Sequence, residues 1–268
     1  MKKFIFAAIL FHAAAMNAAV PGGAVTLSPG ATEAVITAGG AAQLRGRSSA
    51  CLMPEVRHLP LAGDFGVPNV EKILRTRATM VITDTRASGS GWRLLRRAGI
   101  EVVLLRNERI ADYPANLRLL GEKLRCRKIA EAAARRYESA MAELCRTKPP
   151  KPLRVLILFS ASPPVTCGSG SFIHEAVEYA GGINAGADRA TGYFAISPEK
   201  ILRHAPEVII CAGVPENLVR QYFAKPVFRC LPAVRHNRFV SVDADRFCRN
   251  NFHLPQEISK LKTYLSSL

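Results

Sequence analysis

Short apolar runs alternate with amphipathic segments along most of this chain. Each run has the length and the β-branched composition of a buried strand. The runs lie at residues 24–27, 80–83, 102–105, 154–159, 208–211 and 239–242. Segments with helical spacing follow them, and in one of these, WRLLRRAGI, the spacing places Trp92 in the core. Strands that alternate with helices predict an α/β protein.

Two segments of the sequence occur twice and in the same order, which indicates an internal duplication. The copies are EAVITAGG at 33–40 with EAVEYAGG at 175–182, and EKILRTRATMVI at 71–82 with EKILRHAPEVII at 199–210. In each copy the first helix ends at a Gly pair, where a left-handed residue is expected. The second helix begins at a good N-cap, Asn69 or Ser197. The duplication predicts two α/β lobes.

A long amphipathic segment separates the two copies. Apolar residues recur at helical spacing from Pro114 to Arg146, with Gly121 as the only weak point, and the Pro-rich stretch 148–152 ends the pattern. One helix of this length would be about 50 Å long and would brace both lobes with limited hinge motion. The expected units are an N-terminal lobe at 20–112, a connecting helix at 113–147 and a C-terminal lobe at 148–268. A ligand cleft would lie between the lobes.

Residues 1–19 have the pattern of an export signal. Lys2 and Lys3 precede an apolar run, and small residues follow it up to Ala19. The run is shorter than the roughly 20 residues that a membrane anchor needs. The first cysteine is Cys51, so the sequence offers no cysteine for lipid attachment beside the cleavage site. We therefore expect cleavage near Ala19 and a soluble periplasmic protein.

Composition narrows the possible partners. The chain has 37 Lys and Arg against 21 Asp and Glu, a net charge of +16, and such a surface attracts anions in general. The basic residues are scattered and no nucleic-acid motif occurs, so we expect no nucleic-acid partner. Seven cysteines in an oxidising compartment allow up to three disulfides and leave at least one thiol unpaired in a monomer. No CxxC or HxH occurs, which argues against a dedicated zinc site.

A set of motifs resembles the helical-backbone (class III) substrate-binding proteins of ABC importers, the group that carries cobalamin, haem and iron siderophores. The motifs are VTLSPGATE at 25–33, GDFG at 63–66, NVEKIL at 69–74, AGGINA at 180–185, SPEKIL at 197–202 and the tail 240–249. Together they cover nearly all of the chain after the signal. The resemblance implies a carrier and not an enzyme, without an intrinsic cofactor, that delivers a metal chelate to a permease dimer with its ATPase. We expect this carrier to be a monomer.

Within that family, one glutamate from each lobe docks on arginines of the permease dimer. The matching residues here are Glu71 and Glu199, and both are followed by KILR. A two-fold symmetric partner needs one equivalent carboxylate from each lobe. The alternative is that each glutamate only complements the dipole of its helix. That alternative is favoured for either residue alone, whereas the matched pair favours docking.

The ligand is expected at the loops that follow the carboxyl ends of the strands. The predicted ligand-binding residues are Ser28, Pro29 and Phe65 from the first lobe and Tyr193, Phe194, Asp245 and Arg249 from the second. The aromatic side chains would line a flat macrocycle, and Arg246 or Arg249 would pair with a carboxylate, phosphate or amide of the ligand. The GDFGVPNVEKIL stretch at 63–74 and the spacing of Asp245 and Arg249 most resemble the cobalamin branch, so cobalamin or a related corrinoid is the first choice.

Other ligands, and other functional classes of protein, are alternatives to a corrinoid carrier. Haem would use Tyr193 as an axial oxygen ligand, and an anionic ferric siderophore would suit the basic charge. A hydrolase is a weaker alternative, because GSGS at 168–171 lacks the spacing of the GxSxG motif. A zinc or manganese receptor would need more cleft histidines and acids. After Arg249 the sequence Asn250-Asn251-Phe252-His253 departs from the Pro-Gly-Pro-Arg-like turn usual in the family, which leaves the contacts there open.

Overall fold

The computed structural model describes residues 23–146, 151–189 and 192–268. The predicted export signal at residues 1–19 lies outside the described residues. Within the described ranges, no helix is both long enough and apolar enough to cross a membrane. All seven cysteines fall in these ranges and all are free thiols, so none of the bridges that the composition allows is formed here.

The N-terminal lobe is a mostly parallel sheet with helices on both faces. Its strands are β1 (Ala24–Thr26), β2 (Leu44–Ser48), β3 (Leu61–Asp64), β4 (Val67–Pro68), β5 (Met80–Thr83) and β6 (Glu101–Leu104). They lie in the order β4-β3-β2-β1-β5-β6, and β4 runs antiparallel to β3. The helices are α1 (Pro29–Thr37), α2 (Val70–Arg75) and α3 (Ser90–Arg97). Trp92 on α3 is buried against the sheet, as the spacing predicts.

The C-terminal lobe has a parallel sheet and a small antiparallel one. Its strands are β7 (Arg154–Leu158), β8 (Ser160–Ala161), β9 (Pro164–Cys167), β10 (Ile183–Asn184), β11 (Tyr193–Ala195), β12 (Val208–Ala212) and β13 (Phe239–Val242). The parallel sheet has the order β10-β7-β12-β13, and the antiparallel sheet has the order β11-β9-β8. The helices are α6 (Phe172–Tyr179), α7 (Pro198–His204), α8 (Glu216–Phe223), α9 (Pro232–Arg235), α10 (Ala244–Phe247) and α11 (Leu254–Ser266).

The duplication in the sequence is also present in the fold. The order β2-β1-β5-β6 in the first lobe corresponds to β10-β7-β12-β13 in the second, with all neighbours parallel. Helices α1 and α6 end alike: Gly39 and Gly181 have φ of 89° and 84°. In each case the next glycine donates its N–H to the carbonyl five residues earlier, at 2.9 Å. Both Gly pairs therefore end their helices in the predicted left-handed turn.

The prediction of one continuous helix from Pro114 to Arg146 is wrong. The segment forms two helices, α4 (Asp112–Lys123) and α5 (Arg127–Cys145), because the chain reverses at residues 124–126. Arg125 has a φ of 53°, and the N–H of Cys126 donates to the carbonyl of Gly121 at 2.9 Å, which ends α4 in a Schellman turn. Helix α5 alone, with 19 residues and a length of about 28 Å, is the long helix beside the two lobes.

The weak point at Gly121 has a packing role. A Cβ atom at Gly121 would lie 2.6 Å from the Cβ of Ala130, so the glycine lets α4 and α5 approach closely. The buried cluster around these helices is continuous across the molecule. It contains Ala24 of β1, Tyr137 of α5 and Val155 of β7. The two lobes therefore share one core, although limited hinge motion itself stays a prediction.

The left-handed conformation of Arg125 leads to a stability prediction. We expect Arg125→Gly to raise the free energy of unfolding by about 0.5–1 kcal/mol, because glycine adopts positive φ without the steric cost that a Cβ atom adds. Thermal and urea denaturation would measure the change. As a control, Ala132→Gly places glycine at an exposed right-handed position of α5 and should lower stability by about 1 kcal/mol. A loss of stability in Arg125→Gly would contradict the account of this turn.

Candidate functional site

The first wall of the cleft begins at the end of β1. Ser28 is buried and caps α1, with its Oγ accepting a hydrogen bond from the N–H of Ala31 at 3.3 Å. Its hydroxyl is therefore used by the fold, while Pro29 is half-buried in the first turn of the helix. A Cβ atom on Gly30 would collide with the carboxylate of Asp84. Asp84 was not among the predicted residues, although it follows β5 much as Ser28 follows the neighbouring strand β1.

Phe65 lies in the turn between β3 and β4 and is 58% exposed. The following residue, Gly66, has a φ of 68° and donates its N–H to the carbonyl of Leu27 at 2.8 Å. A Cβ atom at Gly66 would lie 2.6 Å from the hydroxyl of Thr85, so the turn packs closely on the segment after β5. The turn thus lies over the carboxyl end of β1 and places an exposed aromatic ring on the rim of the first lobe.

Tyr193 supplies an aromatic surface on the second lobe. It lies on β11 opposite Cys167, it is 54% exposed, and its ring meets that of Phe159 edge-on at 4.9 Å. The pKa of Tyr193 is raised, mainly because the surrounding protein disfavours the charged phenolate and also because the ionised thiolates of Cys167 and Cys248 would repel it. Phe159, which directly follows β7, was not among the predicted residues.

Phe194 is on the same strand as Tyr193 but on its opposite face. Successive side chains of a strand point to opposite sides of the sheet. Phe194 packs against the second buried cluster of this lobe, and the guanidinium of Arg189 lies 4.8 Å from the centre of its ring. The structure therefore does not bring Phe194 to the surface that Tyr193 and Phe159 form.

Charged residues from both lobes meet at the floor of the cleft. Arg249 pairs with Asp245 at 2.6 Å, and their side chains are 36% and 75% exposed. Glu33 of α1 reaches them from the first lobe. The pKa of Glu33 is raised mainly because its carboxyl is buried, and the charge of Arg249 opposes this shift. Arg246, by contrast, points to α11, where it pairs with Glu257 at 2.9 Å.

Glu71 and Glu199 occupy the same position in their helices. Each is the second residue of its helix. The N-cap side chains are Asn69 in α2 and Ser197 in α7, and each accepts a hydrogen bond from the N–H of the lysine three residues later. The side chain of Glu71 is 74% exposed and pairs with Arg75 at 2.6 Å. An exposed pair of this kind holds its partners weakly, so the carboxylate stays available to another molecule. The pKa of Glu199 is lowered, first by a hydrogen bond with the side chain of Ser197.

A cavity of about 760 Å³ lies apart from these residues. Its lining includes Arg109, Cys145, Glu175 and Gly182, and none of the seven predicted ligand-binding residues is part of it. In the part of the chain that the structure describes, no cluster of three or more His, Cys, Asp or Glu side chains is placed to hold a metal ion. Phe65, Tyr193 and Asp245 are instead exposed to solvent, and their place in a ligand cleft stays a prediction.

Comparisons with known proteins agree with this architecture. The family model described as periplasmic binding protein matches residues 25–246. A vitamin B12-binding protein of Pectobacterium carotovorum subsp. carotovorum (strain PC1) is 27% identical over 258 residues, which cover 93% of this chain and 90% of that relative.

Solved structures show the same fold. The periplasmic haem binding protein of Vibrio cholerae matches with a TM-score of 0.79 at 19% identity, covering 90% of this chain and 98% of that one. The periplasmic vitamin B12 binding protein of the same species matches with a TM-score of 0.74 at 21% identity, covering 92% and 97%. Because the family match spans most of the sequence, this chain belongs to the periplasmic binding protein family and is a solute-binding protein, not an enzyme.

Proposed function

We propose that this chain, as a monomer, captures cobalamin or a related corrinoid between its lobes and delivers it to the permease of an ABC importer. The observation that carries the proposal is the combination of an exposed aromatic ring on each lobe, Phe65 and Tyr193, with the charged pair Asp245 and Arg249 near the junction of the lobes. A corrinoid is a large, flat ring system with amide groups around its edge. Apolar walls suit its faces, and a few polar groups suit its edge.

The pair Asp245 and Arg249 matches the edge of such a ligand. An amide offers both a donor and an acceptor, so the carboxylate would accept from an amide N–H and the guanidinium would donate to an amide oxygen or a phosphate. The relatives named vitamin B12-binding protein support this choice, since one of them aligns with 93% of the chain.

Haem is the second candidate, and the exposed phenol of Tyr193 is the observation that favours it. The surrounding protein raises the pKa of this phenol and so disfavours the phenolate, whereas bound ferric iron would stabilise the phenolate. A ferric siderophore is a further alternative, which the net charge of +16 would favour if the chelate is anionic.

Absorption titrations of the purified protein with cyanocobalamin, haemin and a ferric siderophore would test the proposal. We expect saturable binding of one cyanocobalamin per chain. Phe65→Ala should weaken this binding about tenfold or more, because an apolar contact on one face of the ring is lost. Leu94→Ala, which removes a 50% exposed side chain from the outer face of α3, should leave it unchanged.

The same titrations separate the candidates. Saturable binding of haemin alone, with a visible spectrum that changes in Tyr193→Phe, would replace the corrinoid by haem. Saturable binding of the ferric siderophore alone would replace it by that chelate. If none of the three compounds binds saturably, the proposal fails.

A further inference from the structure

The segment that follows Arg249 lies where the two lobes meet. Asn250 and Asn251 are buried, with only 8% and 1% of their surfaces exposed. A buried amide without hydrogen-bond partners costs about 1–3 kcal/mol, so partners are expected for both. The identity of these partners indicates what the segment does.

Asn250 connects three parts of the molecule. Its Oδ1 accepts a hydrogen bond from the hydroxyl of Tyr137 on α5 at 2.9 Å. Its Nδ2 donates to the carbonyl of Arg109 at 2.7 Å, in the segment between β6 and α4 of the first lobe. One side chain of the second lobe therefore holds both the connecting helix and the first lobe.

Asn251 connects the floor of the cleft to the first lobe. Its Nδ2 donates to the carbonyl of Asp245 at 2.9 Å and to Oε2 of Glu33 at 3.3 Å. Its Oδ1 accepts from the N–H of His253 at 3.0 Å, so both polar atoms of the side-chain amide have partners. Because Asp245 is paired with Arg249, this amide fixes the charged floor relative to α1.

A third contact between the lobes reaches the same segment of the first lobe. Glu175 of α6 accepts from the N–H of Ile110 at 2.7 Å and pairs with the guanidinium of Arg109. The Glu175 side chain is only 14% exposed. Two separate elements of the second lobe thus hold residues 109–110. Two contacts limit the rotation of one lobe relative to the other more than either contact alone would.

We propose that Asn250 and Asn251 are positioning residues that fix the angle between the lobes and hence the gap between the Phe65 and Tyr193 walls. The consequence for ligand affinity rests on the proposed function, whereas the consequence for lobe geometry does not. A ligand that needs a defined gap binds only the fraction of protein molecules in which the lobes are correctly spaced. Its apparent dissociation constant therefore rises as that fraction falls.

The test compares the double variant Asn250→Ala and Asn251→Ala with the unsubstituted protein, both free of ligand. Spin labels are attached to the exposed Cys230 of the second lobe and to a cysteine placed at the exposed Arg97 of the first, with Cys145 and Cys248 replaced by serine. Pulsed electron paramagnetic resonance then measures the distance distribution between the lobes. We expect a single narrow distribution in the reference protein and a broader or shifted one in the double variant.

Asn116 offers a matched control. It is also 8% exposed and makes two hydrogen bonds with the backbone of Arg106, at 3.2 and 2.6 Å, but both join α4 to the segment after β6 and neither involves the second lobe. Asn116→Ala should lower stability and leave the distance distribution unchanged. An unchanged distribution in the folded double variant, or equal broadening in Asn116→Ala, would overturn the positioning role.

Ligand titration separates this inference from the proposed function. We expect cyanocobalamin to bind the double variant about tenfold more weakly, which corresponds to a correctly spaced fraction of about one tenth. A broadened distribution with unchanged affinity would overturn the link between lobe geometry and binding. If the unsubstituted protein binds no cyanocobalamin while the variant still shows broadening, the ligand is wrong and the positioning role stands.

Discussion

Replacing both Glu71 and Glu199 by alanine is expected to abolish cellular uptake of the ligand while its affinity for the purified protein stays within about twofold. Both carboxylates are exposed, at the same position of equivalent helices, and neither is part of the cleft. A hydrogen bond to a charged group contributes about 1.5–3 kcal/mol, so losing two should weaken docking about a hundredfold or more. Uptake of radiolabelled cyanocobalamin by cells that contain only the variant, with titration of the purified protein, would measure both quantities.

A second pair of glutamates provides the control for this experiment. Glu143 is 68% exposed and pairs with Arg146, much as Glu71 pairs with Arg75, and Glu178 is 59% exposed on α6. The combination Glu143→Ala with Glu178→Ala removes the same charge from other surfaces and should leave uptake intact. Undiminished uptake by the Glu71 and Glu199 double variant would end the docking hypothesis.

Arg249→Ala is expected to weaken ligand binding about tenfold to a hundredfold. The guanidinium is 36% exposed at the cleft floor, and a charge-assisted hydrogen bond to the ligand is worth about 1.5–3 kcal/mol. Its removal would also leave Asp245 and Glu33 without the positive charge between them. Isothermal titration calorimetry with cyanocobalamin would measure the loss.

Two further substitutions make the result specific. Arg229→Ala removes an exposed positive charge from the same lobe and should not change affinity, which excludes a general effect of net charge. Arg249→Lys keeps the charge without the planar fork and should recover only part of the binding. Equal affinities of Arg249→Ala and the unsubstituted protein would remove Arg249 from the site.

The apolar runs and the repeated segments were sufficient to predict much of the fold. The strands at 80–83 and 239–242 have the predicted bounds, and both Gly pairs end their helices in the predicted left-handed turns. These features depend on local chemistry, namely β-branched runs and the freedom of glycine at positive φ. Local chemistry is visible in a sequence because it involves residues close together in the chain.

The break between α4 and α5 could not be predicted in the same way. Apolar residues keep helical spacing on both sides of residues 124–126, and the left-handed position is filled by Arg125, not by the glycine that usually marks such a turn. The close contact of Gly121 with Ala130 depends on tertiary packing. The pattern therefore predicted one helix, whereas the structure has two helices packed against each other.

Position near strand ends predicted four candidate ligand-binding residues, Phe65, Tyr193, Asp245 and Arg249. The structure leaves the side chains of the first three exposed and that of Arg249 partly exposed, and their role in binding stays a prediction. Ser28 is instead used as a helix cap, which the Ser-Pro pair at a helix start could have indicated.

The junction of the lobes depends on contacts between residues far apart in the chain. Tyr137 is 113 positions from Asn250, and Glu33 is 218 positions from Asn251. The sequence alone showed only that residues 250–253 depart from the turn usual in the family. No local pattern indicates which distant groups a buried amide will meet, so the role of these asparagines required the structure.

Amide hydrogen exchange with and without cyanocobalamin tests the central claim, that the ligand is held between the two lobes. We predict protection in both walls and in the floor at once, that is, at the Phe65 turn, at β11 and at residues 245–251. Protection that is confined to one lobe, or that appears at residues 175–182 beside the cavity of about 760 Å³ while the cleft is unchanged, would contradict it.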